Sequence, residues 1–434
     1  MKAVTIQSSM TIIICPTEKC NYSCTYCFEP SEQRHKSEMP YSFDAIKRSL
    51  YQVWRGPYNG SDISLHGGEC TLVSIEEFER LLDLVYHLPW NCDDGTVKPK
   101  GVVNIVTNGS NITDRHIELF KKYNVYVGLS MDGPPELNRL RGPNPEDSSA
   151  TNEYAQSLWK TMKRLRDHNI PVSIMCILHR ENASTPEKLK KIGGWLVTLK
   201  KMRITGGRLN PVYSDSHPEL QLSNDQIYTA WNYFYRMNKR HGLNWNPLKE
   251  MEHNLRGTKR RLSNIFQPSP CFLNKCDLFN THTLSILPDG TIGNCDRTFA
   301  HGMYLRSRAS GASGRYEALK QIECKDCRYW RICGGGCPET GGGGDWRNKT
   351  RFCDAIYRIY EYIEKKLREE DPSIALSIDV EVEEGVPILD SAHGDGPHGD
   401  EPHGDGAHGD EAHGDAPHGN LPHGDSNHGD SPDW

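Results

Sequence analysis

Residues 11–27 read TIIICPTEKCNYSCTYC, a short apolar run that breaks at Pro16 into a loop carrying Cys20, Cys24 and Cys27 in the spacing CxxxCxxC. The run predicts a strand, with the cysteines on the loop that leaves it. Three thiolates on one tight loop hold three irons of a cubane cluster and leave the fourth iron open, whereas most electron-transfer clusters take four cysteine ligands. An incomplete ligand set implies that a small molecule fills the last site. A zinc loop completed by a remote cysteine, Cys15 or Cys70, would use the same residues.

Outward from this stretch, short apolar runs alternate with amphipathic ones. Strands are expected at 11–15, 62–66, 102–107, 125–130, 171–178 and 202–205. Helices are expected at 42–55, 74–88, 113–123, 152–168, 185–200 and 223–239. Several of these open on Ser, Thr or Asn, as helix N-termini prefer. Six successive β-α units predict a parallel sheet, either open and doubly wound or a partial barrel, and periodicity does not choose between them. The pattern breaks over 241–270, where Lys259, Arg260 and Arg261 collect, and this reads as a connecting segment. Residues 271–353 are rich in Cys and Gly, and a helix follows at 354–368. Residues 373–382 alternate with a period of two, predicting one amphipathic strand. The end of the chain, 391–434, repeats His-Gly-Asp seven times and His-Gly-Asn once, at His418. With almost no large apolar side chain it cannot offset its ordering entropy and is expected to be disordered.

Composition narrows the class. A chain of 434 residues, 36% hydrophobic and 25% charged, has room for two or three domains with a sizeable core. No apolar run approaches the ~20 residues of a membrane span, and no basic stretch followed by an apolar one marks a secretory signal. A soluble cytoplasmic enzyme, with no membrane partner, is the expectation. The net charge is −6, but 391–434 holds ten acidic and no basic side chains, so 51 basic against 47 acidic groups leave the rest near +4. That balance is too weak for a nucleic-acid partner. Fifteen cysteines without an export signal point to metal rather than disulfides.

The segment CNYSCTYC resembles the signature of the radical S-adenosylmethionine (SAM) superfamily. The resemblance implies that Tyr26, just before the third cysteine, lies against the adenine of SAM. The next strand ends in Gly67-Gly68-Glu69, similar to the family's GGE motif, which holds the SAM amino group; a proline usually follows it, where this chain has Cys70. Thr107-Asn108-Gly109 and Ser130-Met131-Asp132-Gly133-Pro134 look like segments whose polar groups, here Asn108, Ser130 and Asp132, reach the ribose and carboxyl of SAM. Arg141 is either a partner of the SAM carboxylate or a solvated loop residue. By resemblance the fold is a partial (β/α)6 TIM-like barrel over 1–240, with its motifs at the C-terminal strand ends, where such folds build sites.

The second cysteine group is Cys271, Cys276, Cys295, Cys324, Cys327, Cys333, Cys337 and Cys353. Eight thiolates suffice for two four-cysteine clusters, or for a pair of zinc ribbons in a non-enzymatic binding protein. The spacing resembles the SPASM extension of radical SAM peptide maturases, here 271–368. That resemblance implies one auxiliary 4Fe–4S cluster on Cys271, Cys276, Cys295 and Cys337, and another on Cys324, Cys327, Cys333 and Cys353. With the SAM-binding cluster this makes three. Asp296 matches the aspartate proposed as a base in the family's sulfatase maturases.

The implied activity is reductive cleavage of SAM to a 5′-deoxyadenosyl radical, which takes hydrogen from a peptidyl residue and leads to an oxidised or crosslinked product, as in maturases of ribosomally made peptides (RiPPs). Flavodoxin or ferredoxin is the expected reductant. The substrate is a separate precursor or the chain's own tail, tethered at high effective concentration, with 369–390 as a linker whose strand serves as a leader or is an ordinary edge strand. Two other readings of the tail stand beside this: a metal-binding tract and a solvated extension. Either would accompany a formylglycine-generating enzyme similar to the sulfatase maturases.

Overall fold

A computed structural model of the chain describes residues 11–27, 39–54, 62–91, 96–144, 147–214, 216–256, 283–295 and 315–379. Seven parallel strands follow one another across one sheet in chain order: β1 (Thr11–Ile14), β2 (Asp62–Leu65), β3 (Val103–Thr107), β4 (Val125–Ser130), β5 (Val172–Leu178), β6 (Gly206–Pro211) and β7 (Asn244–Asn246). On the far side of β1 lie β8 (Thr283–Ile286), parallel to it, and β9 (Ile292–Gly293), antiparallel to β8. The helices are α1 (Phe43–Val53), α2 (Ile75–Tyr86), α3 (Asp114–Lys122), α4 (Ser148–Asp167), α5 (Pro186–Lys201), α6 (Asn224–His241), α7 (Leu248–Arg256) and α8 (Cys353–Glu370). A strand order that never reverses between β1 and β7 has no topological switch point. Right-handed crossovers then place the helices on one face, and the sheet is the wall of a partial (β/α)6 barrel.

Burial alternates accordingly. Ile12, Ile14, Ile63, Leu65, Ile105, Val127, Leu129, Ile174, Cys176 and Leu209 are at most 1% exposed. This is the helix-covered face, as the meeting of Trp245 with Trp195 of α5 shows, ring centroids 6.5 Å apart. Each such Ile or Leu contributes ~1.5–3 kcal/mol by burial. The intervening residues, among them Asn104, Met175 and Arg208, are half-buried on the other face. Helix starts match the expected caps: Ser42, Ser74, Thr113, Thr185 and Ser223 each accept a backbone N–H from the first turn.

Three expectations need correction. The sixth strand is Gly206–Pro211, not 202–205: the chain first turns at Arg203, whose φ is 60°, and the strand opens on glycines without apolar alternation. A Cβ on Gly207 would lie 2.0 Å from the Ile174 carbonyl oxygen. The connecting segment is structured over its described part, holding β7 and α7. Residues 371–379 make turns, not a strand; Leu376 is buried and the Ser377 N–H donates to the Leu255 carbonyl at 2.8 Å, so the alternation reflects an anchor on α7. The rest of that predicted strand, the linker beyond 379 and the repeat tail lie outside the described residues.

Candidate active site

The loop after β1 is clamped by the strand end beside it. Gly68 N donates to Thr17 O at 3.0 Å and Glu69 N to Lys19 O at 2.8 Å. A Cβ on Gly68 would stand 2.3 Å from the carbonyl oxygens of both Glu18 and Lys19, and one on Gly67, at φ 111°, 2.5 Å from Thr17 O. The two glycines are therefore needed for the cysteine loop to approach. Glu69 is 2% exposed. Its carboxylate accepts Thr71 Oγ1 and Thr107 Oγ1, both at 2.7 Å, Thr71 N at 3.1 Å and Asn108 N at 2.6 Å, which ties β2 to β3. Asn108 Nδ2 donates to Asn21 Oδ1 at 2.9 Å and lies 3.9 Å from Cys20 Sγ. Cys20, Cys24 and Cys27 are half-buried on this loop. Cys70 turns away from it: its thiol is buried and donates to the Val106 carbonyl at 3.4 Å.

A second knot lies across β4 and β5. Asp132 is fully buried. Its Oδ2 accepts the Tyr26 hydroxyl and Arg141 Nε (3.2 Å), and its Oδ1 accepts Ile177 N (2.9 Å). Arg141 is thus a largely enclosed partner of Asp132, not a solvated residue, and its guanidinium lies 5.5 Å from the Tyr26 ring centroid. The ring of His179, fully buried at the end of β5, is 5.6 Å from that of Tyr26. Burial holds the His179 pKa down at about 4. The Tyr154 hydroxyl donates to the Asn108 carbonyl at 3.0 Å, and its ring meets Tyr22 edge-on at 4.7 Å. Ser130 ends β4 beside this bond, almost buried. Tyr154 and His179 belong to no motif, and the role of Asn21, inside the cysteine motif, is not marked by spacing; only the pairing of distant loops reveals the three.

Of the second cysteine group, Cys271 and Cys276 lie outside the described residues, as does Asp296, which follows Cys295. Cys295 follows β9, and Cys337 precedes a 3-10 turn at Pro338–Thr340. Cys324, Cys327, Cys333 and Cys353 are near enough to act on one another. Burial, then the neighbouring thiolates, push Cys324 up to about 11 and Cys333 up to about 12, and Cys353 is raised for the same two reasons, the Lys349 ammonium opposing. Among the described residues no three His, Cys, Asp or Glu side chains are gathered tightly enough to hold a single metal ion.

Residues 14–192, the segment containing the cysteine loop and both knots, match the model of the radical SAM superfamily. The chain carries a radical SAM domain. A cysteine-type anaerobic sulfatase-maturating enzyme of Clostridium perfringens is 25% identical over 381 residues, 81% of this chain and 96% of the relative. A structure of anSMEcpe with bound AdoMet and Cp18Cys peptide superposes with a TM-score of 0.60 at 18% identity, covering 85% of this chain and 100% of that one. Streptococcus suis SuiB bound to precursor peptide SuiA gives 0.51 at 15% identity, covering 80% and 76%. The structural likenesses show the fold. The chain is similar to a sulfatase maturase over most of its length, and the radical SAM match over 14–192 implies SAM and a 4Fe–4S cluster. Among the described residues, no helix is long and apolar enough to cross a membrane.

Proposed function

We propose that this chain is a RiPP-type peptide maturase that splits SAM reductively and removes hydrogen from a peptidyl carbon, giving an oxidised or crosslinked product. The observation that carries the reading is the Cys20–Cys27 loop, clamped by Gly67, Gly68 and Glu69 at the mouth of the barrel. The donor set fits a cluster: three half-buried thiols share one loop, and Asn108 lies against Cys20. A cluster held by Cys20, Cys24 and Cys27 would supply the electron that cleaves SAM, and the eight cysteines of the second group would hold two auxiliary clusters able to take an electron up. Gly67, Gly68 and Glu69 receive the SAM amino group. Tyr26 bears on the adenine, Asn108 and Ser130 serve the ribose and carboxyl, and Asp132 acts on them by fixing Tyr26. Asp296 takes the proton released as the substrate is oxidised.

The substrate in this reading is the His-Gly-Asp repeat, in its own chain or in another copy, and flavodoxin or ferredoxin is the reductant. The test is anaerobic turnover of the full chain with SAM and reductant, followed by mass analysis of fragments from 391–434. The expected result is a loss of hydrogen from the repeats that Cys20→Ala abolishes; unchanged repeats alongside turnover of a separate peptide would remove the substrate assignment. The relatedness to sulfatase maturases favours a second reading, in which a Cys or Ser of a sulfatase-derived peptide becomes formylglycine. An aldehyde on such a peptide would support it.

A further inference from the structure

The uncovered face of the sheet lines the space where a peptide would lie. Toward the strand ends it is mostly uncharged, with Asn104 and Val106 from β3, Ser130 from β4, and Met175 and Ile177 from β5. Among the described strand residues on this part of the face, Arg208 of β6 carries the only charge. Arg208 Nη2 donates to Glu250 Oε1 of α7 at 2.9 Å, and the same oxygen accepts Asn246 Nδ2 of β7 at 2.9 Å. The two charged side chains are 17% and 23% exposed, so the pair is held firmly and still reachable.

Register fixes its place. Arg208 is the partner of Met175, which is the partner of Ser130. Two residues further on, Ile177 packs against Tyr26 and Val212. At ~3.3 Å per residue, Arg208 therefore sits ~7 Å along the strand from the level of Tyr26, within the length of one side chain.

We propose that Arg208 and Glu250 form the subsite that reads the substrate, Arg208 taking a peptide aspartate while Glu250 takes the imidazole two residues before it. This rests on the reading of the chain as a peptide maturase. A guanidinium fork matches a carboxylate, more so where water is partly excluded. Without substrate, a carboxylate of the chain itself occupies that fork. A His-Gly-Asp segment offers each member of the pair a replacement partner, so no half-buried charge is left alone.

The test compares synthetic His-Gly-Asp and His-Gly-Asn repeat peptides on the anaerobic, cluster-loaded full chain, following peptide mass and 5′-deoxyadenosine together. Wild type should show a KM about tenfold or more higher for the Asn peptide, with kcat little changed. Arg208→Gln should lose that discrimination, and Arg208→Lys should restore part of it. The wild-type comparison stands even where a variant misfolds. Equal handling of the two peptides by wild type, or retained discrimination in Arg208→Gln, overturns the proposal. So does modification of neither peptide while 5′-deoxyadenosine still forms. No 5′-deoxyadenosine under any condition would instead overturn the maturase reading itself.

Discussion

At the scale of single residues, the site is held by groups that cannot be removed one at a time. Asp132 is fully buried and Arg141 is 12% exposed, so Asp132→Ala leaves a guanidinium without its counter-charge. A loss of about 3–5 kcal/mol is expected by thermal or urea unfolding. Gly68→Ala acts differently. Its Cβ meets backbone oxygens 2.3 Å away that have no side-chain freedom to yield, so the cysteine loop is displaced. The expected outcome is a folded protein, destabilised by ~1–3 kcal/mol, that lacks the iron of the cluster proposed on Cys20, Cys24 and Cys27, read by iron analysis against wild type. His179 adds a pH effect. Burial lowers its pKa from 6.5 to about 4, so its contribution is present above 6.5 and is lost as pH falls toward 4. The acid limb of the melting temperature should be shallower in His179→Asn. The cysteines and Gly67-Gly68-Glu69 were legible because their spacing is local. The partners of Asp132, and the pairing of Arg208 with Glu250, were not, because residues tens of positions apart meet only once the strands are in register.

At the scale of elements, five of the six expected strands and all six expected barrel helices stand within a few residues of their places, since caps and alternation are local signals. β6 was displaced because glycines and a turn replaced the apolar alternation. The strand expected from 373 failed because a period of two also arises when a turn seats alternate residues in a core. Helix α8 shows what the sequence could not. Its Glu364 accepts Arg328 Nε at 3.0 Å, the Tyr329 hydroxyl at 2.7 Å and Arg368 Nε at 3.0 Å. These bonds bind the turn after Cys327 to the helix that begins with Cys353. Burial opposes ionisation of Glu364, but the bonds from Arg328, Tyr329 and Arg368 outweigh it and bring the pKa from 4.5 to about 2. The depressed value stabilises the fold above pH 4.5 and ceases to do so as pH falls toward 2. Glu364→Gln should flatten unfolding over that window. Asn224 of α6 joins the same region from the barrel side, donating to Arg351 O at 3.0 Å and accepting Ala355 N at 3.2 Å. Asn224→Ala should cost ~1–2 kcal/mol, measured by urea unfolding.

For the whole molecule, the proposed maturase reading draws together a singly wound sheet with its candidate site at one mouth, a second cysteine region whose helix α8 packs on α6 and α7, and a His-Gly-Asp repeat in the sequence. The sheet order was the decisive feature that periodicity had left open, because crossover connectivity is a property of the fold and not of any window of sequence. The proposed set of three 4Fe–4S clusters predicts about twelve irons and as much sulfide per chain after anaerobic reconstitution; zinc without sulfide would point to the binding-protein alternative. The most direct measurement is 5′-deoxyadenosine produced from SAM by the reduced, anaerobically purified chain. Wild type is predicted to form it and Cys20→Ala to form none. A wild-type protein loaded with iron and sulfide that leaves SAM intact would contradict the account.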